Sequence, residues 1–377
     1  MTNVIPEESD NTTESCENRP PISDEERELF FRTKFGLTDS YEIMKHFRYM
    51  PQHAYDILMK NVGAENCGDE LFKQQMRIIE FPWKTYMDPV RVNVIRSKHY
   101  MDRLLFGMDD AKYLVQLWLA GIAHNSDAPI RPLLLHGPPG TGKTTFASVL
   151  AKSVGRKLEK LSIPALNAAF ELVGDKGYRN SDCGRIIKGI INAQEMPVYL
   201  IDEVDKAGLG GTLSSSTNAL LNILDGTRAD FKDEFFEVKI NLTGTIFILT
   251  ANDISLVSEP LKDRCQVIEI QGYFGDDRKT LLKDYTIPAI RKQQKLTEKQ
   301  FKFTDNIVDN ILNHSDDPNG GVRLLEKTTE KVALAAIYKL LYSNKASVTL
   351  TQSELDKVTS LLCENKNNKL EKIGFAI

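Results

Sequence analysis

Five cysteines, Cys16, Cys67, Cys183, Cys265 and Cys363, are spread along 377 residues without a single CxxC pair. That spacing excludes a zinc knuckle and a disulfide framework, and the cysteines read as reduced thiols. Long apolar runs are missing as well. Val198 to Ile201 and Thr245 to Ala251 are strand-length, far short of the ~20 residues needed to cross a bilayer. Nor is there an excess of basic charge: 48 Lys and Arg against 52 Asp and Glu give a formal net charge of -4, so the chain has no general attraction to nucleic acid or an anionic membrane. A basic stripe, a helix-turn-helix and a zinc module are all absent, which counts against a nucleic-acid partner. The first residues carry Glu7, Glu8, Asp10, Glu14 and Glu17 with Arg19 as the early base, the reverse of a signal or transit peptide. A cytoplasmic or nuclear location without membrane contact is expected.

The length implies two or three domains. Residues 1–28 are polar and acidic, with Pro20-Pro21, and read as a disordered tail. Residues 29–100 read as a helical segment and linker, with apolar residues at helical spacing such as Ile43, Met44 and Phe47. Residues 101–272 contain short β-rich runs at Leu133 to Leu135, Lys157 to Leu161, Val198 to Ile201, Ile246 to Thr250 and Gln266 to Ile270. Apolar runs of this length alternating with helices predict an α/β domain with a parallel sheet covered on both faces. Phe235 to Ile240 is a further strand candidate, as an added hairpin or edge. Residues 273–343 are predicted helical, with helices at Asp276 to Gln294, Asp305 to Leu312 and Val322 to Leu341. Residues 344–377 form a polar C-terminal tail with one short strand, Val348 to Leu350.

Gly137-Pro138-Pro139-Gly140-Thr141-Gly142-Lys143-Thr144 follows the first of these strands and precedes a helical stretch that starts at Thr145. Glycines there let backbone N–H groups close around phosphates at a helix N-terminus, whose dipole favours negative charge. Lys143 then reaches the β and γ phosphates of ATP, and Thr144 ligates Mg²⁺. Val198 to Ile201 ends in Asp202 and Glu203. At the ligand edge of a parallel sheet Asp202 suits Mg²⁺, and Glu203 suits activation of the attacking water. Asn252 ends another apolar strand, where its amide could hold that water in line. Arg264 and Arg323 are candidates to neutralise charge developing on the γ-phosphate.

The ordered series formed by these motifs with Gly184-Arg185-Ile186-Ile187, Asp202-Glu203-Val204-Asp205-Lys206, Asn218-Ala219-Leu220-Leu221, Pro260 to Arg264 and Gly321-Val322-Arg323 resembles the AAA+ ATPase superfamily. Within it, the chain is most similar to the ATPase module of the Lon proteases, from about Pro82 to about Tyr342. The resemblance implies a five-stranded AAA+ core, a helical lid after Gly272, and a pocket completed by a neighbouring subunit in a homo-oligomeric, hexameric ring. It makes Lys143 and Thr144 the Walker A pair, Asp202 and Glu203 Walker B, Asn252 sensor 1, Arg264 an arginine finger acting in trans, and Arg323 sensor 2. Phe106, Gly107 and Met108 fall in the segment that packs beside the adenine, with Leu105 where the family has His. Tyr178 falls where the family carries a pore-loop aromatic that grips unfolded polypeptide, although Arg179 and Asn180 replace the aliphatic residue and Gly that usually follow.

Only about 35 residues follow Tyr342, too few for the Ser-Lys protease domain of that family. The expected function is therefore a protease-less, ring-forming ATPase that remodels or unfolds protein. Alternatives are the ATPase subunit of a two-component protease, docked through the apolar 373–377 end, a nucleotide-dependent interaction switch, and a nucleic-acid-directed loader.

Overall fold

A computed structural model describes residues 49–59, 69–86, 88, 90–126, 128–163, 170–177, 180–208 and 213–367. The expected acidic tail at 1–28, Tyr178 and the apolar 373–377 end lie outside the described residues. His53–Ile377 form one compact unit; of the other, Met1–Gln52, only 49–52 are described.

Among the described residues, four helices precede the first strand: α1 (Gln52–Met59), α2 (Asp69–Glu80), α3 (Val94–Leu104) and α4 (Asp109–His124). The strands are β1 (Leu133–His136), β2 (Leu158–Ser162), β3 (Val198–Asp202), β4 (Phe231–Lys232), β5 (Lys239–Ile240), β6 (Phe247–Ala251) and β7 (Gln266–Glu269). Among them run α5 (Lys143–Ser153), α6 (Phe170–Val173), α7 (Arg185–Ala193), α8 (Leu213–Leu224) and α9 (Glu259–Arg264). Last come α10 (Gly275–Leu281), α11 (Ile287–Gln294), α12 (Asp305–His314), α13 (Arg323–Ser343) and α14 (Gln352–Asn367).

The predicted parallel sheet is present, with five strands in the order β2-β3-β6-β1-β7. Its inner strands are apolar because both faces are covered: β6 is buried throughout, and β1 and β3 are buried except at their last residue. The edge strands carry exposed positions, Lys160 in β2 and Val267 and Glu269 in β7. Met101, Val115, Leu119, Phe146 and Leu150 from α3, α4 and α5 pack with Leu133, Leu135, Leu200 and Ile248 into one core cluster. Tyr199 stacks on Phe247 and hydrogen-bonds the carbonyl of Ile186 on α7. The strand expected at 235–240 is a two-residue hairpin, β4 against β5, separate from the main sheet.

The helical lid has its own core, including Leu282, Ile290, Phe301, Ile311, Leu325, Val332, Val348 and Leu355. The helix expected over 276–294 contains a π turn at Leu282–Thr286 between α10 and α11. Pro288 lacks an N–H for the helical ladder, and the Thr286 hydroxyl bonds back to Leu281 O at 3.2 Å. The strand expected at 348–350 does not form: Val348 donates one bond to Gln300 O (3.0 Å), too little for a ladder. The polar stretch after it is helix α14. Thr351 and Glu354 form a reciprocal capping box at its start, with Thr351 N donating to Glu354 at 2.8 Å. Among the described residues, no helix is long and apolar enough to cross a membrane.

Helix α2 is bound to the hairpin and to the loop before α7. Phe81 and Trp83, just past its end, pack against Phe236, with ring centroids 5.2 and 6.1 Å away. Arg77 forms a two-pronged pair with Asp182, both contacts at 3.1 Å. Burial pushes the Asp182 carboxyl upward, but hydrogen bonds from Arg77, Lys188 and the Cys183 amide outweigh it and hold the group down to about 2.

Two outcomes follow from this packing. Leu355 is 1% exposed within the lid core, so Leu355→Ala is expected to cost about 2–5 kcal/mol in denaturant unfolding; no loss would mean that α14 does not dock. Because Asp182 ionises more readily folded than unfolded, its stabilisation is full above its ordinary carboxylate range. It should fade as pH falls towards 2, by ~1–2 kcal/mol after solvent screening, and Asp182→Asn should remove that slope in pH-dependent denaturation.

Candidate functional site

The strand order decides what meets at the C-terminal edge of the sheet. With β6 between β1 and β3, its last residues separate the phosphate-binding sequence after β1 from the two acids at the end of β3. A cleft of about 160 Å³ opens there, lined by Gly140, Gly142, Lys143, Thr144, Thr145, Asp202, Glu203, Asn252, Val322, Arg323 and Glu326. Residues from four separate stretches of sequence are thus brought together, the last from the lid.

The loop is shaped by its own contacts. Thr141 is buried and its hydroxyl donates to Pro138 O at 3.0 Å. The Gly137 amide donates to Ala251 O (3.3 Å), tying the loop to β6. Lys143 opens α5, and its ammonium bonds the carbonyls of Gly137 (2.7 Å) and Pro138 (2.8 Å). Burial pulls that ammonium below its ordinary value, while Asp205 and Asp202 pull it back.

On the opposite wall, Thr250 joins the two acids. Its hydroxyl donates to Asp202 and accepts the Glu203 amide at 3.1 Å. Glu203 has a left-handed backbone, φ 60°, rare for a side-chain-bearing residue and a mark of a constrained site. Its carboxylate pairs with Lys206 at 2.8 Å. Asp205 is buried and accepts the amides of Asn252 (3.1 Å) and Asp253 (3.3 Å), which fixes where Asn252 leaves β6.

The lid closes directly on the phosphate loop. Val322 N donates to Gly140 O at 2.9 Å. Gly140 has φ 81°, and a Cβ there would lie 3.3 Å from Cβ of Arg323. A Cβ on Gly321 would lie 2.8 Å from Pro139 O. This approach brings Arg323, the first residue of α13, into the cleft.

Other expected residues lie elsewhere. Met108 Cε approaches within 3.2 Å of where a Gly142 Cβ would be, so Met108 backs the loop. Phe106 stacks on Tyr273 (6.1 Å) and tilts against Tyr285 of the π turn (5.6 Å), and Tyr273 donates its hydroxyl to Phe106 O at 2.8 Å. Gly107 faces Tyr273. These contacts put Phe106 and Gly107 at the junction of core and lid, outside the lining of the cleft. Arg264 is outside it too, bonded to Pro260 O (2.9 Å) and paired with Asp225 (3.5 Å). Thr250, Asp205, Lys206, Tyr285 and Glu326 were not singled out as site residues from sequence. The positions of Asp205 and Lys206 directly after Asp202-Glu203, and of Thr250 two before Asn252, were the available signals.

A glycine-built loop at a helix start, two strand-end acids and a lid arginine in one cleft define a P-loop nucleotide site of the AAA+ kind. The family described as "ATPase family associated with various cellular activities (AAA)" matches residues 133–273. The mitochondrial Lon protease homolog of Yarrowia lipolytica is 32% identical over 268 residues, 70% of this chain and 22% of that protein. Lon protease of Clostridioides difficile is 30% identical, covering 74% and 36%, and the mouse mitochondrial homolog is 30% identical, covering 81% and 33%. A structure of the Thermotoga maritima RuvB Holliday junction branch migration motor aligns with TM-score 0.47 and 18% identity over 72% of this chain and 74% of that one, too loose to bear on function. The chain carries an ATP-binding AAA+ ATPase module of the Lon type. It spans about a quarter to a third of the length of those Lon relatives.

Removing the Asp205 carboxylate would leave two amides without an acceptor. Asp205→Ala is expected to cost roughly 1.5–3 kcal/mol in urea unfolding, and Asp205→Asn, which keeps one acceptor, distinctly less. Equal losses for both variants would show that these bonds do not matter.

Proposed function

We propose that this chain hydrolyses ATP with Mg²⁺ within a hexameric ring of like subunits and uses the energy to remodel or unfold protein. The observation that supports hydrolysis best is the cleft itself, where Lys143, Thr144, Asp202, Glu203, Asn252 and Arg323 line one space. Lys143 is held by neutral carbonyls, and an anionic phosphate would outcompete them because it adds the attraction of opposite charges to the hydrogen bond. Thr144 and Asp202 offer the hydroxyl and carboxylate oxygens that suit a hard cation. Bound Mg²⁺ would offset charge on the phosphate oxygens. Glu203 would take the proton of the attacking water once released from Lys206, and Asn252 would orient that water. Arg323 would add positive charge from the lid as the transition state forms.

Arg264 lies outside its own cleft, so we assign it to the cleft of a neighbouring subunit. That assignment, together with the Lon-type module, supports the ring. Tyr178, four residues after Gly174 in sequence, is assigned to polypeptide contact.

Glu203→Gln should lower turnover by about 10²–10⁴-fold with little change in ATP affinity. Turnover close to that of the unaltered protein would remove the assignment. Chains carrying Arg264→Ala should be inactive alone and regain part of their activity when mixed with Glu203→Gln chains, since each supplies what the other lacks. Without such recovery, a site shared between subunits is contradicted.

A further inference from the structure

The loop between α6 and α7 is held at both ends by helix α2, a contact that nucleotide chemistry does not require. On the near side, the Gly177 amide donates to Glu70 Oε1 at 3.1 Å, and Lys176 pairs with Glu237 of the hairpin turn at 2.7 Å. On the far side, Lys73 donates to Ser181 O at 2.7 Å, and Arg77 takes both oxygens of Asp182. Lys73 (3.4 Å) and Lys188 (3.1 Å) face the same carboxylate. Asp175 and Asp182 close the neck of the loop through Asp175 N to Asp182 O and Asp182 N to Asp175 Oδ1, both 3.4 Å.

The helix that makes these contacts is itself fixed. Gln74 donates to Phe235 O at 2.6 Å and to Glu237 at 3.2 Å, Ile78 is fully buried, and Trp83 donates its indole N–H to Ile78 O at 2.8 Å. The hairpin holds the loop from the other side, where buried Asp233 accepts the Gly184 amide (2.7 Å) and Glu234 N donates to Val173 O (2.7 Å). Glu70, Lys73, Gln74 and Arg77 recur at spacings of three and four, so one face of α2 makes every contact. A planar guanidinium on a carboxylate fixes direction as well as distance, which a lysine in its place could not do.

We propose that α2 is a brace that sets the positions of residues 174–177 and 180–184 for polypeptide engagement, with Arg77 and Asp182 as its positioning residues. The inference rests on the reading of Tyr178 as the polypeptide contact. On this view the segment before the ATPase core sets how strongly polypeptide binding drives turnover and leaves basal hydrolysis alone.

The test uses the full chain, with amide hydrogen exchange across 174–184 and ATP turnover titrated with a reduced, alkylated and permanently unfolded protein. Arg77→Ala should speed exchange at 175–177 and 180–184 by about tenfold, the scale of a lost charge-assisted bond. It should also raise the polypeptide concentration for half-maximal stimulation several-fold while basal turnover and KM for ATP hold. Arg77→Lys should restore part of both effects. Glu70→Ala, at an exposed position, should give the same pattern centred on Gly177, and decides the matter if Arg77→Ala does not fold. Unchanged exchange in these variants overturns the brace. So does faster exchange with an unchanged polypeptide titration, provided that Tyr178→Ala abolishes stimulation. Stimulation that survives Tyr178→Ala removes the polypeptide reading and the inference with it, while the exchange data still report separately on α2.

Discussion

Val322 N donates to Gly140 O, and through that bond the lid touches the phosphate loop with no side chain between them. Four glycines let the backbones come this close. Gly140 takes a left-handed turn beneath Arg323, and Gly321 passes Pro139 O where a Cβ would collide. Gly320 lies against Gly272, the residue at which the chain leaves the α/β domain, and the adjacent Tyr273 amide bonds Gly320 O at 2.9 Å. The lid is therefore held at its connection to the core and at the phosphate loop. Arg323 follows directly, so its place in the cleft is a consequence of backbone packing.

The remaining geometry depends on sheet order. Placing β6 between β1 and β3 lets one hydroxyl, that of Thr250, bond Asp202 and the Glu203 amide together. It also lets Asp205 anchor the backbone at Asn252. A rearranged loop at either strand end would disturb both acids at once. Lys143 and Glu203 are each engaged by local partners, Gly137 and Pro138 in one case and Lys206 in the other. These partners satisfy buried or half-buried charges from within the chain.

The residues that the fold brings to the cleft were legible in the sequence because phosphate recognition needs contiguous glycines, a lysine and a helix start in fixed order, and strand-end acids leave a recognisable apolar run before them. The five-stranded sheet was legible for the same reason. Other features were written in short-range signals that polarity concealed: Thr351-Gln352-Ser353-Glu354 caps α14, although the stretch reads as a solvated tail. The π turn follows from Pro288 inside a helical pattern. Phe106 is packed by Tyr273 and Tyr285, partners more than 160 residues away in sequence that no local pattern announces. The Arg77–Asp182 pair spans 105 residues, and nothing local in either segment announces the other.

If the lid and phosphate loop are one unit, nucleotide must change both together. Amide hydrogen exchange with increasing ATPγS, followed at 137–145 and at 320–323, tests this directly. The two segments are expected to gain protection in parallel, with the same concentration dependence. Protection of the phosphate loop with unchanged exchange at Val322 would contradict the coupling on which the site is built.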